Sequence, residues 1–434
     1  MSNTNIPPAA VPLSGPGIGK IPTTDREAPT TPFAPVRVGI ALIIGGALWV
    51  GPFYANNGVL LPARLAQIAP QEKVALVALL AITGSIVALL ANVIFGALSD
   101  ITRSRFGRRA PWMVVGSIGA CASLFALSNA NTVTGIVVIW CVFQLFLNAI
   151  AAPLLAVLAD RVPPGRRGLY SALYGLGVLF GAGGSQVIAT GYITHPATGM
   201  VVFAVAILFG GPLVAVILRE KSNRDVPREP FSPAMILATF TFPRRGARDF
   251  YYALSGKLIF VVGLYGITGY QLYILTDYMH QSLADAGKTI ALMSILLLVT
   301  SLIFGFISGP ISDKLGRRKI LVIGSAGLIA VAVLIPFLFP HPWAMLVYAL
   351  VSGIGSGVYA SIDQALNTEV LPSPANAAKD LGILNMANTG GQIIGPGLTS
   401  AIVAVTASYG PVFLVAAGLL VVSAVLIRPI KSVR

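Results

Sequence analysis

Between Asp100 and Arg109 the chain places one carboxylate and four guanidiniums, within the stretch "GALSDITRSRFGRRAPW" that occupies residues 96–112. Groups of that kind bind phosphate, hold anionic lipid, or form ion pairs that fasten one helix to another. A shorter version, "GPISDKLGRR", occupies residues 309–318. Inside the apolar stretches ionisable groups are scarce, and Asp277, Asp363 and Lys257 are the clearest. Carboxylates in a low dielectric can take up protons, so Asp277 and Asp363 are the candidates for proton coupling. Asp277 stands near one end of its stretch, and Asp363 lies about 9 Å by helix rise from Glu369 at the opposite rim. Lys257 is expected to carry its ammonium to the surface along its own stem. His195, His280 and His341 form no His–Glu–His metal spacing, and no nucleotide-binding loop is present. No catalytic residue, metal, cofactor or enzymatic activity is therefore expected. Cys121 and Cys141 lie in apolar runs and read as small buried hydrophobes.

The elements that must position these groups follow from composition. Only 10% of the 434 residues are charged and 56% are hydrophobic, with a mean hydropathy of +0.83. A soluble chain carries about 25% charged residues. The apolar residues fall in continuous runs such as "VALVALLAITGSIVALLANVIFGAL" (74–98), long enough to cross a bilayer core of about 30 Å as a helix. Continuous apolarity rather than alternation argues for helices over a β-barrel. Twelve spans are expected, at 37–62, 74–99, 111–129, 135–158, 168–194, 199–218, 253–279, 289–310, 320–339, 343–366, 380–405 and 410–428. Pro52, Pro153 and Gly395-Pro396 fall inside spans, where neighbouring helices can satisfy the freed backbone groups. Residues 1–35, rich in Pro and Thr, read as a disordered tail, and 429–434 as a second one.

With twelve spans both ends lie on one side. All but Arg64, Lys73 and Lys288 of the 29 Lys and Arg fall on that side. The asymmetry assigns the basic side, with both termini, to the cytoplasm of a multi-pass protein of the plasma (inner) membrane. It also accounts for the net charge of +14 without nucleic acid, leaving the lipid bilayer as the partner of the basic face.

The two charged loops belong to a larger repeat. Gly107 and Gly316 are 209 residues apart, as are Asp160 and Glu369 in "LADRVPPGRRG" (158–168) and "LNTEVLPSPANA" (366–377). Six spans per repeat is an even number, so both halves share one orientation. The expected fold is an all-α integral membrane protein of 12 transmembrane helices, arranged as two parallel-repeat six-helix bundles. The bundles cover 36–218 and 251–428, joined by a charged cytoplasmic linker at 219–250.

The pattern G-x-x-x-D followed by G-R-R, after the second span and again after the eighth, resembles the signature loop of the major facilitator superfamily. The extended "TRSRFGRRAPW" (102–112) is similar to the loop of glycoside–pentoside–hexuronide and sucrose symporters. "GYQLYILTDYM" (269–279) and "DQALNTEVLP" (363–372) look like stretches of bacterial sugar-transporter relatives. The resemblance implies two bundles around a central cavity that opens alternately to either side. It also implies that the second span meets the eleventh and the eighth meets the fifth. Asp100 is then expected to latch against the start of the eleventh span near Lys379, and Asp313 against the start of the fifth near Arg166 and Arg167, when the cytoplasmic side is closed. The signature residues are Gly96, Asp100, Arg103, Gly107, Arg108 and Arg109, with Gly309, Asp313, Gly316, Arg317 and Arg318 in the second half. Spans one, four, seven and ten, which line the cavity in that family, supply Asn56, Asn57, Gln144, Asn148, Tyr265, Tyr270, Gln271 and Tyr359; the fifth and eleventh add Gln186, Asn388 and Gln392. One departure limits the resemblance. Ala88 and Asn92 stand where melibiose-type symporters carry acidic cation ligands, so a sodium site is not supported.

Amides and aromatic rings suit hydroxyl-rich, uncharged ligands. No cation is expected deep enough for a phosphate or carboxylate substrate. The expectation is a secondary active transporter, working as a monomer, that moves a small neutral polar solute such as a sugar or glycoside, with protons as the candidate coupling ion. The alternative is an exporter of amphipathic, drug-like compounds by proton antiport. Against it, "GLGVLFGAGGSQVIA" (175–189) lacks the proline of the antiporters' fifth-span motif.

Overall fold

An apolar run in lipid must close its hydrogen bonds within itself, which only a helix does segment by segment. The computed structural model of the chain describes residues 35–225, 241–243, 247–372, 377–430 and 432, without the side chains of Asp313, Gln364, Ala377 and Ala378. The expected tail at 1–35 thus lies outside the described residues except for Pro35, as do 226–240 and 244–246 of the linker and most of 431–434.

Twelve long helices follow one another. The first half holds α1 (Pro35–Ile68), α2 (Lys73–Ile101), α3 (Ala110–Asn129), α4 (Val133–Arg161), α5 (Arg167–Thr190) and α6 (Pro196–Leu218). In the second, α7 runs as Arg248–Thr268 and continues through Gln271–Tyr273 and Ile274–Tyr278. It is followed by α8 (Leu283–Leu315), α9 (Arg318–Leu338), α10 (Pro342–Glu369), α11 (Ala377–Thr406) and α12 (Gly410–Ile427). Eleven of them are long and apolar enough to cross a membrane. The remaining one, α11, carries Asn385, Asn388, Thr389 and Gln392 among its apolar residues. Several helices overrun the apolar runs that announce them. For α8 the cause is its cap, since Ser282 accepts a hydrogen bond from the Asp285 amide at 3.1 Å and starts the helix before the apolar run.

The two halves repeat each other's packing. α1 rests on α5 and α6 as α7 rests on α11 and α12, and α2 packs on α4 as α8 packs on α10. α3 lies against α4 and α6 as α9 lies against α10 and α12. The halves touch along two seams, α2 with α11 and α5 with α8. Within each half the first and fifth helices meet backbone to backbone: a Cβ at Gly177 of α5 would fall on the Ile43 carbonyl, and one at Gly395 of α11 would lie 2.7 Å from the Val262 carbonyl. Gly107 and Gly316, related by the repeat, are the two glycines with positive φ among the described residues, +87° and +58°, each making the turn that follows the second helix of its half. α1 and α7 also share an irregularity, a π-helical turn at Asn56–Leu60 and at Ile274–Tyr278, a feature that often marks functional sites.

Candidate functional site

The end of the bundle that carries Arg64, Lys73 and Lys288 is closed. Tyr54 of α1 and Tyr265 of α7 bring their hydroxyls within 3.2 Å. Beyond them, where α7 turns through its π segment, Gln271 Nε2 donates to Gln186 Oε1 at 3.2 Å and to the Gly58 carbonyl at 3.4 Å. Ser294 of α8 donates to the same Gln186 oxygen at 3.1 Å. The buried Tyr270 hydroxyl lies 3.0 Å from the carbonyls of both Val74 and Pro396, and Tyr273 donates to the Pro62 carbonyl at 2.9 Å. At the rim Lys73 Nζ stands 2.7 Å from Asp277 Oδ2 and 4.7 Å from the centre of the Tyr273 ring. Among the described residues, the side-chain hydrogen bonds and ion pairs that join the two halves lie in this part of the molecule. Toward the basic end, a Cβ at Gly96 of α2 or Gly382 of α11 would meet nothing within 4 Å.

Just below the closure, a pocket of about 410 Å³, counting the space open to solvent, lies between the halves. The first half lines it with Phe53, Asn57, Ser85, Trp140 and Gln144, and the second with Tyr265, Gly269, Gln392 and Pro396. Phe53 and Trp140 stack with ring centres 6.1 Å apart, 22° from parallel. The Trp140 indole N–H is taken by the Leu80 carbonyl at 3.2 Å, and its ring is buried against Phe53 and Phe143, backing the half-buried Phe53 ring at the pocket wall. The lining is rings and neutral amides, with no charged side chain among the described residues that form it.

Charge appears instead within the second half. Lys257 of α7 does not reach the surface as expected: its side chain is 4% exposed and its Nζ lies 2.7 Å from Asp363 Oδ2 on α10. A carboxylate at that depth offers the ammonium more than the rim does, so the stem stays folded inward. Asn367 Nδ2 donates to the same carboxylate oxygen at 2.9 Å. The Tyr359 hydroxyl faces the carboxylate too, while its ring stacks on Phe260 at 3.9 Å and 4°. The expectation that no cation lies deep in the bundle is corrected by this pair.

At the basic end the signature loop builds an ion network. Arg109, its side chain 4% exposed, pairs with Asp160 at 2.8 Å and with Asp100, and bonds to Ser99. Arg108 joins Asp160 at 2.6 Å. Burial works against the charge on Arg109, but the Asp160 and Asp100 carboxylates outweigh it and hold the guanidinium above its ordinary pKa. Arg103 reaches back to the Asp100 carbonyl at 3.0 Å. The repeat reproduces the core of the network, since Arg318 pairs with Glu369. Two linker residues complete the first loop. Glu220 accepts from the amides of Arg109 and Ala110 at 2.9 and 3.1 Å, capping the positive end of α3. Asn223 donates to the Thr102 carbonyl and accepts from the Ser104 amide, both at 2.9 Å. Asp100 does not meet α11 in this arrangement; Lys379 donates to the Thr241 carbonyl at 2.6 Å. The expected latch of Asp313 falls on a side chain outside the described residues. Arg317 occupies the N-cap position of α9, and Gly309 of α8 approaches Ser361 of α10.

The predicted cavity residues therefore separate into groups. Asn57, Gln144, Tyr265 and Gln392 line the pocket. Tyr270, Gln271 and Gln186 belong to the closure, and Tyr359 to the buried pair. Asn56 is fully buried and its side-chain amide donates to the Pro52 carbonyl at 2.8 Å, at the start of the π-helical turn. Asn148 donates to the Gln144 carbonyl and accepts from Asn92, and Asn388 is half-buried on α11. Sequence reasoning missed Phe53, Trp140 and Lys73, whose types carry no signal until partners from other helices surround them. Asp160 was visible as a member of the repeat, though not as the partner of Arg109.

The sequence matches the family model of the Major Facilitator Superfamily over residues 42–281 and again over 258–433. No curated protein matches. Among solved structures, a mutant of the nucleoside transporter NupG superposes with a TM-score of 0.72 at 14% identity, covering 91% of this chain and 100% of that one. A peptide transporter POT in complex with sulfate gives 0.70 at 16%, covering 93% and 96%. A D-xylose-proton symporter gives 0.65 at 14%, covering 92% and 98%.

Proposed function

The chain belongs to the major facilitator superfamily, and from that membership we propose that it is a secondary transporter moving a small neutral polar solute, of the sugar or glycoside class, by alternating access with proton symport through Asp363. The observation that carries this reading is the pocket between the halves. Its rings offer flat apolar faces, and Asn57, Gln144 and Gln392 offer paired donors and acceptors without charge. Two structural neighbours are named for xylose and for nucleosides, ring solutes rich in hydroxyls, which supports the class.

The Lys and Arg asymmetry assigns the basic face to the cytoplasm of the plasma (inner) membrane; the closed far end then corresponds to an inward-facing state. In the opposite state Asp100 closes on the start of α11 near Lys379, and Asp313 on the start of α5. Of the two proton-coupling candidates Asp363 is preferred, because it is buried within the second half, whereas Asp277 stands partly exposed at the far rim.

The test is counterflow of labelled pentoses, hexoses and glycosides in proteoliposomes. Saturable uptake weakened by Gln144→Ala is expected. Resistance to amphipathic drugs on expression, with no sugar counterflow, would establish the exporter instead.

A further inference from the structure

The Lys257–Asp363 pair differs from Lys73–Asp277 in one respect: nothing that the two halves do to each other makes or breaks it. Both members belong to the second half. α7 rests on α11 and α12, and α10 rests on α8 and α9, so the 2.7 Å pair and the Phe260–Tyr359 stack are side-chain bridges between α7 and α10. Rocking of one bundle against the other leaves such a bridge intact. A ligand is what can open it.

The fold does not demand the pair either. The equivalent of Asp363 in the first half, 209 residues earlier, is Leu154. It is fully buried in an apolar cluster with Leu42, Met113 and Val157. The same place in the same architecture is thus filled by hydrocarbon, and a buried ion pair seldom stabilises more than a well-packed apolar one. Ionisable groups kept inside a membrane serve function.

We propose that Lys257 and Asp363 form a proton-gated subsite for one carboxylate of the solute, so that the cargo is a hydroxylated monoacid carried together with a proton. The proposal rests on the transport reading above and narrows it: the cargo is neutral as solute plus proton. The charge count carries the inference. The resting pair is neutral. One proton on Asp363 converts the carboxylate to a carboxylic acid and leaves the Lys257 ammonium without a counter-charge in a low dielectric, an unfavourable state. One carboxylate from the solute restores neutrality; an uncharged solute leaves the ammonium bare. The ionisable groups recorded against Asp363 are Lys257 from α7 and Tyr359 from its own helix, with Asn367 as a neutral donor. The next charged pair along α10, Arg318 with Glu369, lies six residues on. On α7, Lys257 stands about 12 Å by helix rise from the pocket residue Tyr265, a span that a ring solute with an acidic arm can bridge.

The experiment reads Lys257 directly, by amine acetylation of the full-length protein followed by mass spectrometry. Lys257 is expected to be poorly modified in the wild type and modified several-fold more in Asp363→Asn. Glucuronate should suppress that rise and glucose should not. Suppression by acetate but not by glucuronate would uphold the carboxylate subsite and remove the sugar class. An unchanged modification in Asp363→Asn overturns the proposal, as does a rise that neither anion suppresses or that glucose suppresses equally. Should Asp363→Asn fail to fold, the wild type supplies a second readout: either anion is expected to raise its melting temperature more in acid than at neutral pH, and Lys257→Gln to abolish the difference. Equal shifts at both pH values, or shifts retained in Lys257→Gln, count against it.

Discussion

Lys73 and Asp277, 204 residues apart, meet at 2.7 Å across the closed end of the molecule, one from each half. Both side chains are partly exposed, 19% and 34%, so the pair itself contributes little, about 1 kcal/mol or less. It exists only when that end is shut, however, and its whole effect falls on the balance between states. Asp277→Asn is expected to shift that balance toward the open far end by roughly fivefold. Distances between spin labels at the far ends of α2 and α7 measure it. The exchanged pair, Lys73→Asp with Asp277→Lys, should restore the wild-type distribution; unchanged distances in all variants would remove the pair from gating.

Pocket side chains predict a different pattern. Loss of the Gln144 amide removes one or two hydrogen bonds to a hydroxylated solute, about 1 kcal/mol, or roughly a fivefold rise in KM. Phe53→Leu takes away a half-buried ring of the pocket lining and should weaken uptake of ring solutes more than that of open-chain polyols. Counterflow with both solute types decides, and equal losses for the two would argue against stacking.

Arg109 anchors the loop at the basic end. Removing it leaves Asp160 short of a partner, and Arg109→Gln is expected to destabilise the protein on the order of 3 kcal/mol. Its folded pKa is raised, chiefly by Asp160 and Asp100 against the opposing effect of burial. The stability it contributes is therefore complete below the ordinary arginine value and is lost only as pH rises through the higher folded one, in strong alkali. The difference in melting temperature between wild type and variant should stay level from neutral to mildly alkaline pH. A difference that shrinks over that range would contradict the assignment.

Lys257 and Asp363 predict an asymmetry between single and double replacement. Lys257→Met alone or Asp363→Leu alone strands a buried charge and should cost about 3–5 kcal/mol. The double variant copies the apolar solution found at Leu154 and should melt at or above the wild-type temperature. Thermal unfolding in detergent distinguishes these outcomes; a double variant no better than the singles would mean that the pair is needed for folding.

Much of the architecture could be read before any coordinates. Span length reflects bilayer thickness, and the 209-residue spacing of Gly107 with Gly316 and of Asp160 with Glu369 reflects a duplicated backbone. Both glycines take the left-handed turn, and the two seams join the helices that the family resemblance names. The site was harder. Asn57, Gln144 and Tyr265 announce themselves by polarity on cavity helices, but Phe53 and Trp140 look like any other membrane aromatic. Lys257 was misread because a lysine near a helix end has two physical options, the surface or a buried acid. The acid lies 106 residues away, on a helix that α7 scarcely touches. Pairing of that kind is decided by tertiary geometry and leaves no local pattern.

The glycine contacts inside each half have a mechanical consequence. Where Gly177 meets the Ile43 carbonyl and Gly395 meets the Val262 carbonyl, there is no side-chain cushion, so α1 cannot slide on α5, nor α7 on α11, without backbone collision. Each pair behaves as a stiff plank. Slip is left to the joints between planks, where Ile82 faces Gly397 across α2 and α11 and Leu298 faces Gly183 across α8 and α5. Those joints are surfaced with flexible aliphatic side chains, which act as bearings and confine motion to the one place where it opens a path.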